Sequence, residues 1–404
     1  MLTEYKKLLS PNKVHLPLTD SIYKIATSIV KTGDRILRGQ IVAYKENDLV
    51  KTPIFSTISG TVVEFKQMRD RYNKIVDHIV IENDMKNEDV EYKTFEGDVP
   101  SSVVKSQLIK HGIHSLDVDG IYTSLDLNST IKRLFVNIIN VNEPFISTDY
   151  SYLLEYAKEV ADGIKLLGQG EKEVYIILDK YMPAEPKEAL IESLGEFEYK
   201  LILVNSSKVS GYDYLEIKKV IKDKITNDLH DNGVIYITAE TCKVVSDVIR
   251  KGHAPYERHL LVTGDGVKDN AEFEVTVGTP LYYVVEDLGG YQAIDEMNVH
   301  VGDYLTGIQL SDDTFSITET VDAVDLSEFH EEPEEVCIKC GECNDVCPAG
   351  ILPQNIMDAE LRELNGRIVD LHTDECIECG LCSYVCPSKI NVLEWVRRAK
   401  RRTN

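Results

Sequence analysis

The spacing of apolar residues changes between successive regions of the chain. From residue 14 to about 90, short β-branched runs are separated by turn residues, which predicts strands. From residue 91 to 250, short apolar runs alternate with amphipathic segments, which predicts βαβ units around a parallel sheet. The predicted strands are 133–140, 173–179, 199–205 and 233–238, and the predicted helices are 150–167, 186–197, 214–225 and 241–251.

The pattern changes again after residue 250. Residues 251–310 contain two apolar runs framed by Gly-Thr-Pro and Gly-Gly, which indicates a small β-grasp-like unit. Residues 311–335 are acidic and lack strong periodicity, as is typical of a linker. A further helix is predicted between Ile351 and Leu364. The fold class is therefore a multidomain α/β and β protein.

The first 90 residues contain two phrases that resemble those of lipoyl and biotinyl carrier domains, which have a barrel-sandwich fold. Carrier domains present a modified lysine beside a methionine on a hairpin. Here Lys45 and Lys51 occupy that region, and neither has a methionine neighbour. We therefore interpret this unit as structural rather than as a swinging-arm carrier. The two phrases are Val30-x-x-Gly33-Asp34-x-x-x-x-Gly39-Gln40 and Ser59-Gly60-Thr61-Val62.

Eight of the nine cysteines form two copies of the motif C-x2-C-x2-C-x3-C-P, which end at Pro348 and Pro387. Each copy supplies three closely spaced thiolates, and a four-iron cluster needs a fourth from elsewhere. In two-cluster ferredoxins the fourth cysteine of each motif binds the other cluster. The first predicted 4Fe–4S cluster is therefore bound by Cys337, Cys340, Cys343 and Cys386, and the second by Cys376, Cys379, Cys382 and Cys347.

Other uses of these cysteines fit the spacing less well. Zinc ribbons have pairs of C-x2-C rather than triplets followed by C-P. Disulfides are disfavoured because the thiols are crowded and nothing marks the chain as secreted. The ninth cysteine, Cys242, lies in a helical pattern and is predicted to be a small buried residue.

Composition narrows the choice of partners. A chain of 404 residues is long enough for two to four domains. The net charge of −24 argues against nucleic acid or an anionic membrane as a partner. We find no signal peptide and no run long enough to span a membrane, so we expect a cytoplasmic protein without membrane insertion. Five basic residues between Arg397 and Arg402 form an exception, either a solvated helix end or a docking patch for an acidic partner.

The order of these parts resembles the RnfC family, which comprises the C subunit of the Rnf electron-transport complex and its soluble relatives. The resemblance implies a barrel-sandwich domain (1–90), a Rossmann-like α/β domain (91–250), an SLBB-like β-grasp domain (251–310), an acidic linker (311–335) and a two-cluster ferredoxin-like domain (336–404). It is carried by the cysteine motifs, the two phrases above, Glu143-Pro144-Phe145, Glu240-Thr241, Val262-Thr263-Gly264-Asp265 and Val277-Gly278-Thr279-Pro280.

Family members resemble the NADH- and FMN-binding subunit of respiratory complex I and carry a Gly-Gly-Ala-Gly-Phe-Pro loop, followed by Asn-Gly-Ala-Glu-Cys-Glu-Pro. This chain departs from both phrases: only two glycines remain in the first region, too sparse for a phosphate cradle. If FMN binds, the resemblance places it near His111, Gly112, Gly120, Asn140, Glu143 and Pro144.

Two functions follow from these features. In the first, the flavin and nucleotide sites are degenerate, and the clusters relay single electrons between redox proteins such as a reductase, ferredoxin or flavoprotein. In the second, a variant loop still binds FMN, and the chain oxidises NADH. The missing glycines favour the first. A docking or structural subunit without electron flow is disfavoured by eight intact ligands. The resemblance also implies docking on a membrane complex through partners.

Overall fold

The computed structural model describes residues 6–8, 10–20, 23–47, 51–113, 131–139, 150–205, 217, 219, 233–294, 296–302, 305, 307–310, 312–328 and 333–403. The strands are β1 (Lys6–Lys7), β2 (Lys13–Pro17), β3 (Ile25–Ser28), β4 (Arg35–Ile36), β5 (Ile41–Glu46), β6 (Lys51–Phe55), β7 (Gly60–Arg69), β8 (Ile75–Asn83), β9 (Arg133–Asn137), β10 (Glu173–Asp179), β11 (Lys200–Val204), β12 (Val234–Thr238), β13 (Glu257–Thr263), β14 (Ala271–Thr276), β15 (Met297–Val301), β16 (Ile308–Leu310) and β17 (Ala323–Glu328). The helices are α1 (Ser101–Lys110), α2 (Ser151–Glu155), α3 (Ala157–Leu167), α4 (Ala184–Leu194), α5 (Ala239–Arg250), α6 (Leu281–Asp287), α7 (Glu342–Asp345), α8 (Pro353–Leu361), α9 (Asn365–Asp370), α10 (Leu381–Tyr384) and α11 (Val392–Thr403), with a 3-10 turn at Thr373–Glu375.

The N-terminal strands form a barrel sandwich from two small sheets. One sheet has the order β2-β8-β7-β4 and the other β3-β5-β6. Apolar residues from both sheets meet in a shared core that includes Val14, Ile36, Val42 and Ile79, all of which are almost fully buried. The short β-branched runs seen in the sequence therefore become strands because each contributes one apolar face to this core.

Lys45 belongs to a buried ion network rather than to an exposed hairpin tip. Its Nζ lies 3.1 Å from a carboxylate oxygen of Asp20 and 3.1 Å from one of Glu319, and its side chain is 13% exposed. Burial opposes the charge, but the two carboxylates outweigh it and raise the pKa of Lys45. The lysine thereby joins the barrel sandwich to the loop before β17, which agrees with a structural unit.

A four-stranded parallel sheet forms the centre of the chain, with the order β11-β10-β9-β12. Its strands coincide with the four predicted apolar runs. The predicted helix 150–167 is divided at Tyr156 into α2 and α3, and most of the predicted helix 214–225 lies outside the described residues. Cys242 is fully buried in α5, as predicted.

The third unit is a six-stranded sheet with the order β1-β14-β13-β17-β15-β16. Residues 311–335 were predicted to be a linker, and this prediction is wrong. Strand β17 lies in the middle of the sheet, parallel to β13 and antiparallel to β15. Phe315, Ile317 and Val321 are buried in its core. Acidic residues suggested a solvated linker, but Asp325 lies within the sheet and accepts a hydrogen bond from Thr263 Oγ1 (2.7 Å).

Strand β1 also crosses a predicted boundary. It comes from the N-terminal segment but pairs in parallel with β14, so the edge of the six-stranded sheet is completed by residues assigned to the first unit. Thr57 Oγ1 donates to the Val277 carbonyl (2.6 Å), and the His15 amide donates to the Gly278 carbonyl (2.8 Å). The first and third units are therefore joined by backbone pairing and buried polar contacts.

Helices α3 and α5 approach each other closely at Gly163. A Cβ at this position would lie 1.9 Å from the Cys242 carbonyl oxygen. We predict that Gly163→Ala lowers the free energy of opening of these helices by about 2 kcal/mol, because the clash is with backbone and outweighs the better helix propensity of alanine. Hydrogen exchange of amides in α3 and α5 measures this free energy.

The matched control is Gly366→Ala. Gly366 also lies in a helix, and its added Cβ would meet nothing described within 4 Å. We expect this substitution to stabilise its own helix by up to about 1 kcal/mol. Equal protection of α3 and α5 in Gly163→Ala and the unmodified chain would contradict the close approach.

Candidate metal centre

The two cysteine motifs have the same backbone conformation, repeated 39 residues apart. In each motif, the residue before the second cysteine and the glycine after it have positive φ angles. A third left-handed residue follows each C-P pair. The repeated φ angles are 57° at Lys339 and 57° at Glu378, 86° at Gly341 and 78° at Gly380, and 72° at Gly350 and 54° at Lys389.

A side-chain hydrogen bond also repeats between the motifs and the helices that follow them. Asn344 Oδ1 accepts from the Gln354 amide (3.0 Å), and Ser383 Oγ accepts from the Leu393 amide (2.8 Å). Each bond satisfies a free amide in the first turn of a helix, α8 or α11. The sequence analysis missed these residues. Their signal is a polar residue directly after the third cysteine of each motif.

The structure brings Cys347 from the first motif to three cysteines of the second. Cys347, Cys376, Cys379 and Cys382 line one cavity, together with the apolar side chains of Leu393 and Val396. Burial raises the pKa of Cys379 to about 11 and that of Cys382 to about 12, and neighbouring thiolates add to both shifts. For Cys379, those neighbours are Cys376 and Cys347.

A charge effect also links Cys386 of the second motif to the first motif. Burial is the largest cause of the raised pKa of Cys343, and charges on Cys340, Cys386 and Cys337 add to it. Cys386 thus acts on the first motif although it belongs to the second. Cys343 and Cys382 are both buried in the core shared by α8 and α11.

These two thiol sets fit iron–sulfur clusters by their donor chemistry. Each set provides four cysteines. Their thiolates repel one another when no cation is present, so positively charged iron stabilises the set. Over the part of the chain that the structure describes, no three His, Cys, Asp or Glu side chains are grouped to hold a single metal ion.

Basic side chains of α11 hold the loop of the second motif. Arg397 Nε donates to Glu378 Oε2 (2.9 Å), and Lys400 Nζ donates to Glu378 Oε1 (3.1 Å) and to the Cys376 carbonyl (2.8 Å). Burial opposes ionisation of Glu378, but these two cations outweigh it and lower the pKa of its carboxyl group. Two of the five basic residues at the C-terminal end, Arg397 and Lys400, therefore form contacts within the chain.

The described part of the predicted flavin region is His111 and Gly112. The His111 ring is buried, with its centroid 6.0 Å from that of Phe55 and 5.0 Å from that of Tyr92. Its Nδ1 donates to the Gln107 carbonyl (2.8 Å), and its Nε2 has no partner. Both residues line a cavity of about 120 Å³ between the barrel sandwich and the six-stranded sheet. Pockets for drug-sized ligands are typically about 300–1,000 Å³, so this cavity is small for a flavin.

The remaining predicted flavin residues, Gly120, Asn140, Glu143 and Pro144, lie outside the described residues. Parallel sheets bind ligands at the carboxyl ends of their strands. The residues that follow β9 from 140 onward, and those that follow β11 from 206 onward, also lie outside the described residues. Asp179, at the carboxyl end of β10, is buried and accepts from the Tyr181 amide (3.0 Å).

Comparison with known proteins finds two matching family models and several relatives. Residues 3–86 match the model of the RnfC barrel sandwich hybrid domain, and residues 336–390 match that of the 4Fe-4S dicluster domain. The C subunit of the Na(+)-translocating ferredoxin:NAD(+) oxidoreductase complex of Acetobacterium woodii is 26% identical over 369 residues, which cover 88% of this chain and 82% of that protein. These matches show that the chain is similar to RnfC-family proteins over most of its length. It is an iron–sulfur electron-transfer protein with a ferredoxin-type 4Fe–4S domain at its C-terminal end.

Other relatives are longer than this chain. The C subunit of the ion-translocating oxidoreductase complex of Haemophilus influenzae is 25% identical over 357 residues, and the match covers 85% of this chain but 53% of that protein. Among solved structures, an air-oxidised NAD+-reducing NiFe hydrogenase matches 75% of this chain and 63% of its own, with 10% identity and a TM-score of 0.49. Within the described residues, no helix has the length and apolar character needed to span a membrane.

The contacts of Glu378 generate a prediction about the second cluster. Arg397→Gln removes one of two cations beside the second cysteine loop, which disfavours the addition of an electron. We expect the midpoint potential of one of the two clusters to fall by an amount on the order of tens of millivolts. Redox titration followed by electron paramagnetic resonance measures both clusters.

Arg398→Gln is the matched control, because it removes the same charge from the neighbouring residue. Arg398 pairs with Glu394 on its own helix (3.1 Å) rather than with the cysteine loop. Screening by salt should leave both potentials nearly unchanged in this variant. Equal shifts in the two variants would show that Glu378 and its partners have no special role.

Proposed function

We propose that this chain relays single electrons through two 4Fe–4S clusters between a donor and a partner reductase. The observation that carries the proposal is the position of Cys347 in the cavity of Cys376, Cys379 and Cys382. Exchange of the fourth ligand places two clusters side by side in one module, as in two-cluster ferredoxins. When bound, the clusters supply one-electron chemistry, and the residues of the chain hold and shield them.

The ligand sets that we propose follow the crossed grouping of the thiols. One cluster is held by Cys337, Cys340, Cys343 and Cys386, and the other by Cys376, Cys379, Cys382 and Cys347. The charge effects of Cys386 on Cys343, and of Cys347 on Cys379, support this assignment.

The proposal extends to the middle of the chain. We infer that the parallel sheet is a Rossmann-like domain and that the six-stranded sheet is an SLBB-like β-grasp domain. The order β11-β10-β9-β12 supports the first assignment. From β9 the chain adds strands first on one side (β10, β11) and then on the other (β12), as in Rossmann-like sheets. Ligands of such sheets bind near the point where the order reverses, which here lies between Asn137 and Thr238.

The flavin and NADH site is degenerate in our proposal. The loss of loop glycines supports this view, as does the tight packing of His111 against Phe55 and Tyr92. The alternative is an FMN-containing subunit that oxidises NADH. The name of the Acetobacterium woodii relative, which belongs to a ferredoxin:NAD(+) oxidoreductase complex, favours that alternative.

The same names suggest the partners. The relatives are subunits of ion-translocating oxidoreductase complexes. We propose that this chain likewise works with redox proteins, and that it docks on a membrane complex through them.

Cofactor content tests the choice between the two functions. We expect the anaerobically purified chain to contain about eight iron atoms and no acid-released flavin, and its clusters to be reduced by dithionite but not by NADH. Iron analysis, flavin fluorescence and visible absorption measure these quantities. One flavin per chain together with bleaching by NADH would replace the relay by the FMN-containing alternative.

The crossed ligand sets give a second prediction. Cys347→Ala should remove the same electron paramagnetic resonance signal as Cys376→Ala, and Cys386→Ala the same signal as Cys340→Ala. Each variant should lose about half of its iron, because only one of two clusters loses a ligand. If Cys347→Ala instead matched Cys340→Ala, each motif would bind its own cluster and the crossed assignment would be wrong.

A further inference from the structure

The two cysteine loops have the same backbone but are covered differently. At Gly380 in the second loop, a Cβ would lie 2.5 Å from the carbonyl oxygen of Leu305 and 2.9 Å from its side chain. At Gly341, the equivalent residue of the first loop, a Cβ would meet no described atom within 4 Å. The body of the chain therefore packs on the second loop and leaves the first one open.

Side-chain exposure shows the same difference at matched positions. Ile338 follows the first cysteine of its motif and is 66% exposed, whereas its equivalent, Ile377, is partly buried. Cys340 is exposed, and its equivalent Cys379 is partly buried. Val336, just before the first motif, is 86% exposed. Large apolar side chains thus surround the open loop, next to an exposed ligand.

The charge around the open loop is mostly negative. Glu334, Glu335, Glu342 and Asp345 are exposed and lie in or next to the first motif in sequence, and Lys339 and Lys389 are exposed as well. The Glu335 amide donates to the Ser388 carbonyl (2.9 Å), which places this acidic segment beside the residues that follow Cys386. Around the second loop, by contrast, Glu378 is paired with two cations.

We propose that the open loop, residues 336–341, is the surface on which a redox partner protein docks, and that this partner presents a basic surface around its own one-electron cofactor. The inference rests on the proposed relay function. Apolar contact with Val336 and Ile338 excludes water at the centre, and the surrounding carboxylates attract the partner. Each encounter oxidises the chain by one electron and reduces the partner by one electron, with no bond made or broken.

Ferric cytochrome c is a suitable probe, since it is a basic protein that accepts one electron. The full-length chain with its clusters is reduced, freed of reductant and mixed with cytochrome c or, separately, with ferricyanide, a small acceptor that needs no docking surface. Ile338→Ser and the double variant Glu335→Lys/Glu342→Lys should each lower the cytochrome c rate about tenfold at low salt. The effect of the double variant on cytochrome c should vanish at high salt. Neither variant should slow the reduction of ferricyanide, because this anion is not repelled when carboxylates are replaced by lysines.

Matched controls lie on other units. Ile109 is 57% exposed on α1, so Ile109→Ser makes the same change away from the loop. Glu185→Lys/Glu188→Lys on α4 makes the same change in net charge at exposed positions. Neither control should slow cytochrome c reduction by more than about twofold. A loss as large as that of the loop variants would overturn the inference, because it would show a general effect of charge or folding.

A measurement on the unmodified chain tests the inference without any variant. Zero-length cross-linking of carboxylates to cytochrome c lysines should link Glu335, Glu342 or Asp345, as identified by mass spectrometry. Cross-links confined to other units would contradict the docking surface. If ferricyanide is reduced but the loop variants do not slow cytochrome c, only the docking surface is wrong. If neither acceptor is reduced, the relay function fails, and the inference fails with it.

Discussion

The convergence of cysteines from both motifs is the constraint on which the C-terminal module depends. Cys347 shares a cavity with Cys376, Cys379 and Cys382 although it precedes the nearest of them, Cys376, by 29 positions in the sequence. Helices α8 and α11 must therefore pack together, and the bonds from Asn344 and Ser383 start both helices at equivalent points. A change in either helix would move ligands of both sets.

The two cysteine loops of the C-terminal domain have equal conformations but lie in different surroundings. Leu305 and the cations of α11 contact the second loop, whereas Ile338 and Cys340 of the first are exposed. Electrons that enter through one loop and leave through the other would pass between the body of the chain and its surface. Comparison of the two cysteine loops thus distinguishes the surface that packs within the chain from the surface that is left for another protein.

Although the chain has a net charge of −24, several of its charged residues form specific ion pairs between the units. Lys45 links Asp20 of the first unit to Glu319 of the third. Glu240, quoted in the sequence only as part of a family phrase, accepts a hydrogen bond from the His259 amide (2.8 Å) and pairs with Arg258, which ties α5 to β13. Buried pairs of this kind are costly to break one partner at a time, so they fix how the units meet.

The sequence by itself determined the cysteine chemistry, the parallel sheet and the strands of the first unit, because ligand spacing and apolar periodicity are local properties of the chain. Only the tertiary structure decided the place of β17, since its acidic residues hide a strand whose alternate side chains, Val324 and Leu326, are buried by distant partners. It also decided that the two cysteine loops are not equivalent. Their backbone conformations are the same, and part of the difference arises from Leu305, which packs against the second loop although it lies more than 70 positions earlier in the chain (305 and 380).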